Sequence, residues 1–186
     1  AGEDAINMGL GQPDFPTPAH AKEAAKAAMD RGDTDGYTSN KGTESLREAI
    51  SDKHARDNDL EVPPGNLIAT SGGSEALHLA IMAHVDPGDE VLIPDPGFVS
   101  YEALTNLAGG TPVPLPLRDD LTLDPATVED AITDDTAVFV VNSPANPTGA
   151  VQSPEDVREF ARIADEHDVV CLSDEVYEHT VFEGEH

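Results

Sequence analysis

Cysteine and lysine are scarce in this sequence of 186 residues, and tryptophan is missing. The single cysteine, Cys171, excludes an internal disulfide bond. No apolar run is longer than the five residues from Ala137 to Val141, which is far too short to cross a bilayer as a helix. The acidic start of the chain, Ala-Gly-Glu-Asp, also lacks the basic and apolar regions of a signal peptide. These absences predict a soluble, cytoplasmic protein.

Positive charge is scarce as well, because 10 basic residues stand against 37 acidic ones and give a formal net charge of -27. Such a surface repels nucleic acid and anionic membranes, so neither is predicted as a partner. The acidic residues are spread over the chain rather than gathered in one tail. This pattern is typical of proteins from salt-loving microbes, in which salt screens the self-repulsion. We therefore predict a halophilic protein with an acidic surface; an ordinary acidic enzyme is the alternative.

Helix signals alternate with short apolar runs along most of the chain. Thr17, Asp124 and Ser153 each precede a proline, a pairing that is typical of the start of a helix. The apolar runs lack the alternation of half-exposed strands and therefore suit a parallel sheet that is covered on both faces. These runs are residues 67–70, 91–93, 113–115, 137–141 and 169–172. The pattern predicts an α/β fold with a mostly parallel, doubly wound sheet and helices on both faces.

Residues 1–36 lie outside this alternation. They combine an extended start with an alanine-rich helix at residues 19–30, which Gly32 closes. We therefore predict an N-terminal arm and first helix over residues 1–36 and a sheet domain over residues 37–186. Sheets of this kind bind ligands at the carboxyl ends of their strands, so the residues that follow each apolar run are the candidates for a site.

A glycine-rich loop follows the first apolar run. Gly72 and Gly73 allow backbone N–H groups to approach an anion, and the helix predicted from Ser74 adds free donors and a positive dipole end. The loop therefore indicates a phosphate site, while a tight turn with Ser74 as a helix cap is the alternative. Its spacing matches neither the P-loop nor the dinucleotide fingerprint, which argues against ATP and NAD.

Aromatic and polar side chains follow three further runs. Phe98 could stack on a planar ring or belong to the core. The amide of Asn146, in a turn stiffened by two prolines, could donate to a phenolate-like oxygen or form a structural turn. The carboxylate of Asp174 could face a protonated ring nitrogen with Tyr177 beside it, or both residues could cap and pack the next element. Histidines show no spacing of metal ligands, so no metal site is predicted.

Five segments, taken in order, carry a resemblance to a known family. They are G-L-G-Q-P-D-F-P-T-P at residues 9–18, G-G-S-E at 72–75, P-G-F-V-S-Y at 96–101, N-S-P-A-N-P-T-G at 142–149 and S-D-E-V-Y-E-H at 173–179. Together they resemble the class I aminotransferases, and most closely the prokaryotic aspartate aminotransferases of fold type I. The likeness runs from residue 6 to the last residue, and its most specific part is the turn at 142–149 followed by Asp-Glu-Val-Tyr.

The resemblance implies that the chain forms most of the large domain of a transferase that depends on pyridoxal 5′-phosphate (PLP). Asp174 would pair with the pyridine nitrogen of PLP, and Asn146 and Tyr177 would bond its phenolic oxygen. Phe98 would stack on the ring, where the family often has tryptophan. Asn146 is also expected to contact the substrate.

The resemblance assigns the remaining site residues to the phosphate and to the substrate. Gly73 and Ser74 would hold the phosphate, while Gly72 shapes the loop. Tyr37 would reach the phosphate of the cofactor in a neighbouring subunit, because family members are homodimers with active sites at the interface. Gly11 matches the residue whose backbone lies beside the substrate.

The implied reaction is the transfer of an amino group from an L-amino acid, aspartate or a similar one, to a 2-oxo acid. The lysine that forms a Schiff base with the cofactor is absent, because all four lysines precede the first apolar run and the family's lysine follows the Asp-x-x-Tyr motif. We therefore expect this chain to be truncated and inactive, and the full-length protein to be the enzyme. The alternatives are another fold-type-I PLP enzyme, such as a carbon–sulfur β-lyase, and a non-catalytic, aminotransferase-like ligand-sensing domain.

Overall fold

Helices and strands alternate along the chain in the computed structural model, which describes residue 11 and residues 15–182. The helices are α1 (Ala19–Asp30), α2 (Glu44–Asn58), α3 (Gly73–His84), α4 (Ser100–Ala108), α5 (Pro125–Ala131) and α6 (Pro154–His167). The strands are β1 (Glu90–Asp95), β2 (Thr111–Pro116), β3 (Thr136–Asn142) and β4 (Val170–Asp174), and a 3₁₀ turn spans Pro64–Asn66. This order of elements confirms the predicted α/β class.

The four strands form one parallel sheet in the order β2-β1-β3-β4. The chain passes outward from β1 to β2 on one side and from β3 to β4 on the other, so the direction of winding reverses between β1 and β3. The last register pair of β3 and β4 places Asn142 opposite Asp174. Open sheets of this kind bind ligands at the carboxyl ends of the strands beside such a reversal.

Different helices cover the two faces of the sheet. The cluster with α5 and α6 includes Leu92, Val128, Phe139, Phe160 and Ile163. The cluster with α3 and α4 includes Leu77, Ile81, Val91, Tyr101 and Val138. Val138 and Phe139 are neighbours in β3 that belong to opposite clusters, and both are fully buried. Two covered faces explain why the strands appear in the sequence as continuous apolar runs.

Two of the three predicted helix caps are confirmed. The side chains of Asp124 and Ser153 accept hydrogen bonds from the first turns of α5 and α6, and a proline follows each cap. The cap predicted at Thr17 is wrong. Helix α1 begins one residue later, where Pro18 is the cap residue and makes no side-chain bond. Thr17 therefore lies one residue too far from the free N–H groups of α1.

Residues 67–70 do not form the strand that their apolar character predicts. They are extended, but no strand in the described part of the chain pairs with them. The N–H of Ala69 donates to the carbonyl of Lys41 at 3.0 Å, and Ile68 is 53% exposed. An apolar run becomes a strand only where a neighbouring strand takes up its backbone hydrogen bonds.

Contacts between residues divide the chain into two units, Ala1–Ala69 and Thr70–His186. The first unit contains α1 and α2, and Thr43 caps α2 with its hydroxyl. The predicted division into an arm over residues 1–36 and a domain thereafter stays a prediction. No helix among the described residues is both long and apolar enough to cross a membrane. The sheet lies entirely in the second unit.

Candidate functional site

A cavity of about 180 Å³ lies at the carboxyl ends of β1, β3 and β4, beside the start of α3. Six residues that the sequence predicts for a site line it together: Gly73, Ser74, Phe98, Asn146, Asp174 and Tyr177. The lining also includes Tyr101 and Asn142, which were not predicted as site residues. The fold thus brings residues from four separate segments to one place.

The first turn of α3 brings Gly73 and Ser74 to the cavity. Gly72, the cap residue, has φ 82°, which glycine adopts without strain. No side chain caps α3, so the alternative role of Ser74 as a helix cap is wrong. Instead, Glu75 accepts a hydrogen bond from the N–H of Ser71 and ties the loop to the helix. A Cβ on Gly73 would meet no atom within 4 Å, so the free N–H groups of this turn border open space, an arrangement that binds anions.

The turn after β1 brings Phe98 to the cavity wall. A side chain on Gly97 would collide with the carbonyl oxygen of Pro94, so this turn requires glycine. The half-buried ring of Phe98 makes an edge-to-face contact with Tyr101, with 5.7 Å between ring centroids and 82° between ring planes. Phe98 therefore belongs both to the cavity wall and to the packing around it.

Asp174 ends β4 at the cavity wall. Its Oδ2 accepts a hydrogen bond from the Tyr101 hydroxyl at 2.7 Å, and its Oδ1 accepts one from the N–H of Val176 at 3.3 Å. The bond to Val176 lies within the turn that follows β4, and no helix follows that strand among the described residues for Asp174 to cap. The bond to Tyr101 spans 73 positions in the sequence and holds the carboxylate from another element. In the described part of the chain no lysine or arginine lines the cavity, so its wall offers this carboxylate no cation.

Tyr101 is a site residue that the sequence analysis did not identify. Its side chain is 1% exposed. Burial, followed by the hydrogen bond to the Asp174 carboxylate, raises the pKa of the Tyr101 phenol well above its ordinary value. The phenol therefore stays protonated and donates to Asp174. Its position three residues after Phe98, in the first turn of α4, is the signal that could have identified it.

Replacing Tyr101 with phenylalanine is expected to lower the free energy of unfolding by about 1.5–3 kcal/mol, because a buried hydrogen bond to a charged group is lost. Urea unfolding followed by circular dichroism measures the change. Tyr177→Phe is the matched control, since that ring is 36% exposed and its hydroxyl has no protein partner among the described residues. Equal loss of stability in the two variants would show that the bond to Asp174 contributes nothing.

The turn after β3 brings two asparagines to the cavity. Asn142 ends β3, and its Oδ1 accepts a hydrogen bond from the backbone N–H of Asn146 at 2.7 Å. The structural turn proposed as the alternative role of Asn146 is thus formed by Asn142. The side-chain amide of Asn146 has no partner among the described residues and lines the cavity.

Three predicted site residues are not part of the cavity lining. Gly72 precedes α3 and shapes the loop. Tyr37, in the first unit, has a fully exposed side chain, and Gly11 is exposed as well. Residues 9–10 and 12–14 of the first motif lie outside the described residues. No group of three or more histidine, cysteine, aspartate or glutamate side chains in the described ranges could hold a metal ion.

Comparison with curated proteins shows similarity over the whole chain. Residues 3–186 match the family model described as aminotransferase class I and II. The chain is 45% identical over 186 residues to the probable aspartate aminotransferase of Methanocaldococcus jannaschii, covering 100% of this chain and 49% of that protein. It is 45% identical over 187 residues to the aspartate/prephenate aminotransferase of Thermus thermophilus, covering 100% of this chain and 48% of that protein. The chain thus spans about half the length of the curated relatives it matches.

Solved structures show the same fold. The aspartate aminotransferase from Thermus thermophilus with maleate superposes with a TM-score of 0.92 at 46% identity, over 95% of this chain and 47% of that one. The aromatic aminotransferase from Pyrococcus horikoshii superposes with a TM-score of 0.91 at 42% identity, over 96% of this chain and 48% of that one. This likeness to solved aminotransferase structures agrees with the predicted fold class.

Proposed function

Because the chain belongs to the aminotransferase class I and II family, we propose that the complete protein transfers an amino group from an L-amino acid to a 2-oxo acid with PLP as its cofactor. The observation that carries this proposal is the cavity at the strand ends. A carboxylate, an amide and a phenol line it together with the open start of α3. Each of these groups suits a different part of PLP.

The start of α3 fits the phosphate of PLP. Its first N–H groups are free of side-chain caps, and Ser74 adds a hydroxyl at the cavity. The space beside Gly73 leaves room for an anion to approach the backbone. In our proposal Gly73 and Ser74 hold the phosphate, and Gly72 gives the loop its conformation.

The rest of the cavity fits the pyridine ring. Asp174, held by Tyr101, offers a negative charge that keeps a ring nitrogen protonated. Asn146 and Tyr177 offer donors to the phenolic oxygen, and Phe98 offers an aromatic surface for stacking. No second carboxylate lines the cavity among the described residues, so Asp174 is the partner that we assign to the nitrogen.

When bound, PLP supplies an electron sink for the electron pair that remains on the substrate's α-carbon after its proton leaves. Asp174 makes the sink effective by holding the ring nitrogen protonated. Transfer of the α-proton needs a base, and no lysine lines the cavity in the described part of the chain. We therefore assign the base, a lysine that also links to the cofactor, to the part of the complete protein outside this chain. The 186-residue chain alone is then expected to be inactive.

We further propose aspartate or a similar amino acid as the donor. The names of two relatives support this choice, since one is a probable aspartate aminotransferase and the other an aspartate/prephenate aminotransferase. The proposed protein is a cytoplasmic homodimer in which Tyr37 reaches the phosphate of the cofactor in the neighbouring subunit and Gly11 lies beside the substrate.

Assays of the complete protein with PLP, aspartate and 2-oxoglutarate test this function. We expect oxaloacetate and glutamate as products. A carbon–sulfur β-lyase would instead release ammonia, pyruvate and a thiol from a sulfur-containing amino acid. A ligand-sensing domain would bind PLP or an amino acid without turnover. Either of these results with the PLP-loaded protein would contradict the proposal.

Replacing Gly73 with alanine is expected to weaken PLP binding by about tenfold or more, because a methyl group would occupy the space through which the phosphate approaches. The added methyl group meets no protein atom, so the stability should be unchanged or higher by up to about 1 kcal/mol. Equilibrium dialysis of PLP against the complete protein measures the affinity. Gly65→Ala is the matched control, since its Cβ also meets open space and Gly65 lies in the 3₁₀ turn of the first unit. Equal affinity in the two variants would refute the assigned phosphate site.

A further inference from the structure

Asn142 makes three hydrogen bonds that connect two of the proposed cofactor ligands. Its Nδ2 donates to the carbonyl oxygen of Asp174 at 2.8 Å and to that of Pro144 at 3.3 Å. Its Oδ1 accepts from the backbone N–H of Asn146 at 2.7 Å. The side chain is 6% exposed. One buried amide therefore links the end of β4 to the turn after β3.

The partners of this amide define its orientation. Carbonyl oxygens only accept hydrogen bonds, and a backbone N–H only donates. A reversed Asn142 would direct its oxygen at two carbonyl oxygens and its NH₂ group at an N–H, and it would lose all three bonds. Aspartate has the same shape but offers no donor, so asparagine is required at this position to satisfy both sides.

Among the described residues, few other hydrogen bonds connect the turn after β3 to the sheet, and the bond from the N–H of Ser143 to the carbonyl of Asp174 is one of them. Its two prolines have no N–H to donate. The bond from the N–H of Gly149 to the carbonyl of Ala145, at 2.7 Å, closes the turn on itself rather than onto a strand. The position of Asn146 relative to β4 therefore depends strongly on Asn142.

We propose that Asn142 is a positioning residue that sets the spacing between the side chains of Asn146 and Asp174. This inference rests on the proposed function, in which these two residues meet the phenolic oxygen and the nitrogen of one rigid pyridine ring. A rigid ring can satisfy both only if their separation is fixed. Asn142 holds the backbone of both, and the N–H of Ser143 adds a second bond to the Asp174 carbonyl at 3.2 Å.

The substitution Asn142→Asp removes the hydrogen bonds that the Asn142 side chain donates and leaves the one that it accepts. It keeps the oxygen that accepts from the N–H of Asn146, and it places a second oxygen against the carbonyls of Asp174 and Pro144. We expect the carboxylate of Asp174 to move away from its place in the site. A shift of about 1 Å in such a group lowers kcat by up to about 100-fold, and KM should change less.

The test uses the complete protein loaded with PLP and measures the effect of N142D in two backgrounds, the first of which is the wild-type protein. The readouts are kcat, KM, the dissociation constant of PLP and the absorption and circular dichroism of the bound PLP. N106D is the matched control, because Asn106 lies exposed on α4 and receives the same change of charge. The second background is D174N. If Asn142 acts through Asp174, N142D should have a much smaller effect in D174N than in wild type.

A lower kcat, a shifted PLP spectrum and a loss of the effect in D174N would support the positioning role. Equal effects of N142D in both backgrounds, or properties equal to those of N106D, would overturn it while the proposed function stands. If N142D does not fold, N142A replaces it, and its effect must shrink in both the D174N and the N146A backgrounds. Wild-type protein that fails to bind PLP would contradict the proposed function and this inference together.

Discussion

Replacing Asp174 with asparagine is expected to lower kcat of the complete protein by about 100-fold or more, the usual cost of removing one preorganised electrostatic contact. Asparagine keeps the shape of the side chain and an oxygen that can accept from Tyr101, so the fold should survive. The substitution removes the negative charge that we assign to the protonated ring nitrogen. Steady-state kinetics at saturating PLP measure the loss.

The neighbouring carboxylate provides a matched control. Glu175 is exposed, does not line the cavity and accepts a hydrogen bond from the Ser173 hydroxyl at 2.7 Å. Glu175→Gln should therefore leave kcat unchanged. A D174N variant as active as E175Q would show that Asp174 does not supply the charge at the ring nitrogen.

The midpoint of thermal unfolding is expected to rise by on the order of 10 °C between about 0.1 M and 1 M KCl. For a chain of this size, such a rise corresponds to a gain of about 3–5 kcal/mol in the free energy of unfolding. The net charge of -27 makes the folded state repel itself, and salt shortens the range of that repulsion. Differential scanning calorimetry at several KCl concentrations measures the shift. This result would support our proposal that the protein is adapted to high salt.

A variant with fewer charges separates screening from other effects of salt. Asp119, Asp134 and Asp135 are exposed, and none of their side chains has a protein partner in the described part of the chain. Changing all three to asparagine should raise the midpoint at low salt and make it less dependent on KCl. If the triple variant depends on KCl as strongly as the wild type does, charge screening is not the cause. The same conclusion follows if sucrose, which carries no charge, raises the midpoint of the wild type as much as KCl does.

The fold was predictable because both faces of the sheet are covered. Burial on two sides makes β3 continuously apolar, and the proline that follows each of Asp124 and Ser153 marks the start of a helix. These signals are local in the sequence. The apolar run at residues 67–70 gives the same local signal without a strand, because pairing depends on a neighbour that no local pattern reveals.

The site was predictable only in part, for a related reason. Asn146 and Asp174 stand in the segments that follow two of the apolar runs, so the order of elements alone assigns both to the strand ends. Tyr101 and Asn142 donate hydrogen bonds to Asp174 that span 73 and 32 positions in the sequence. Such bonds follow from packing rather than from spacing. Asn142 resembles the last residue of a strand, and only its contacts show what its amide holds.

A crystal structure of the complete protein grown with PLP tests the central claim most directly. We predict that the ring nitrogen of PLP lies within hydrogen-bonding distance of the Asp174 carboxylate while its phosphate contacts the backbone of Gly73 and the hydroxyl of Ser74. PLP bound at another place, or bound in this cavity with its nitrogen turned away from Asp174, would contradict the account.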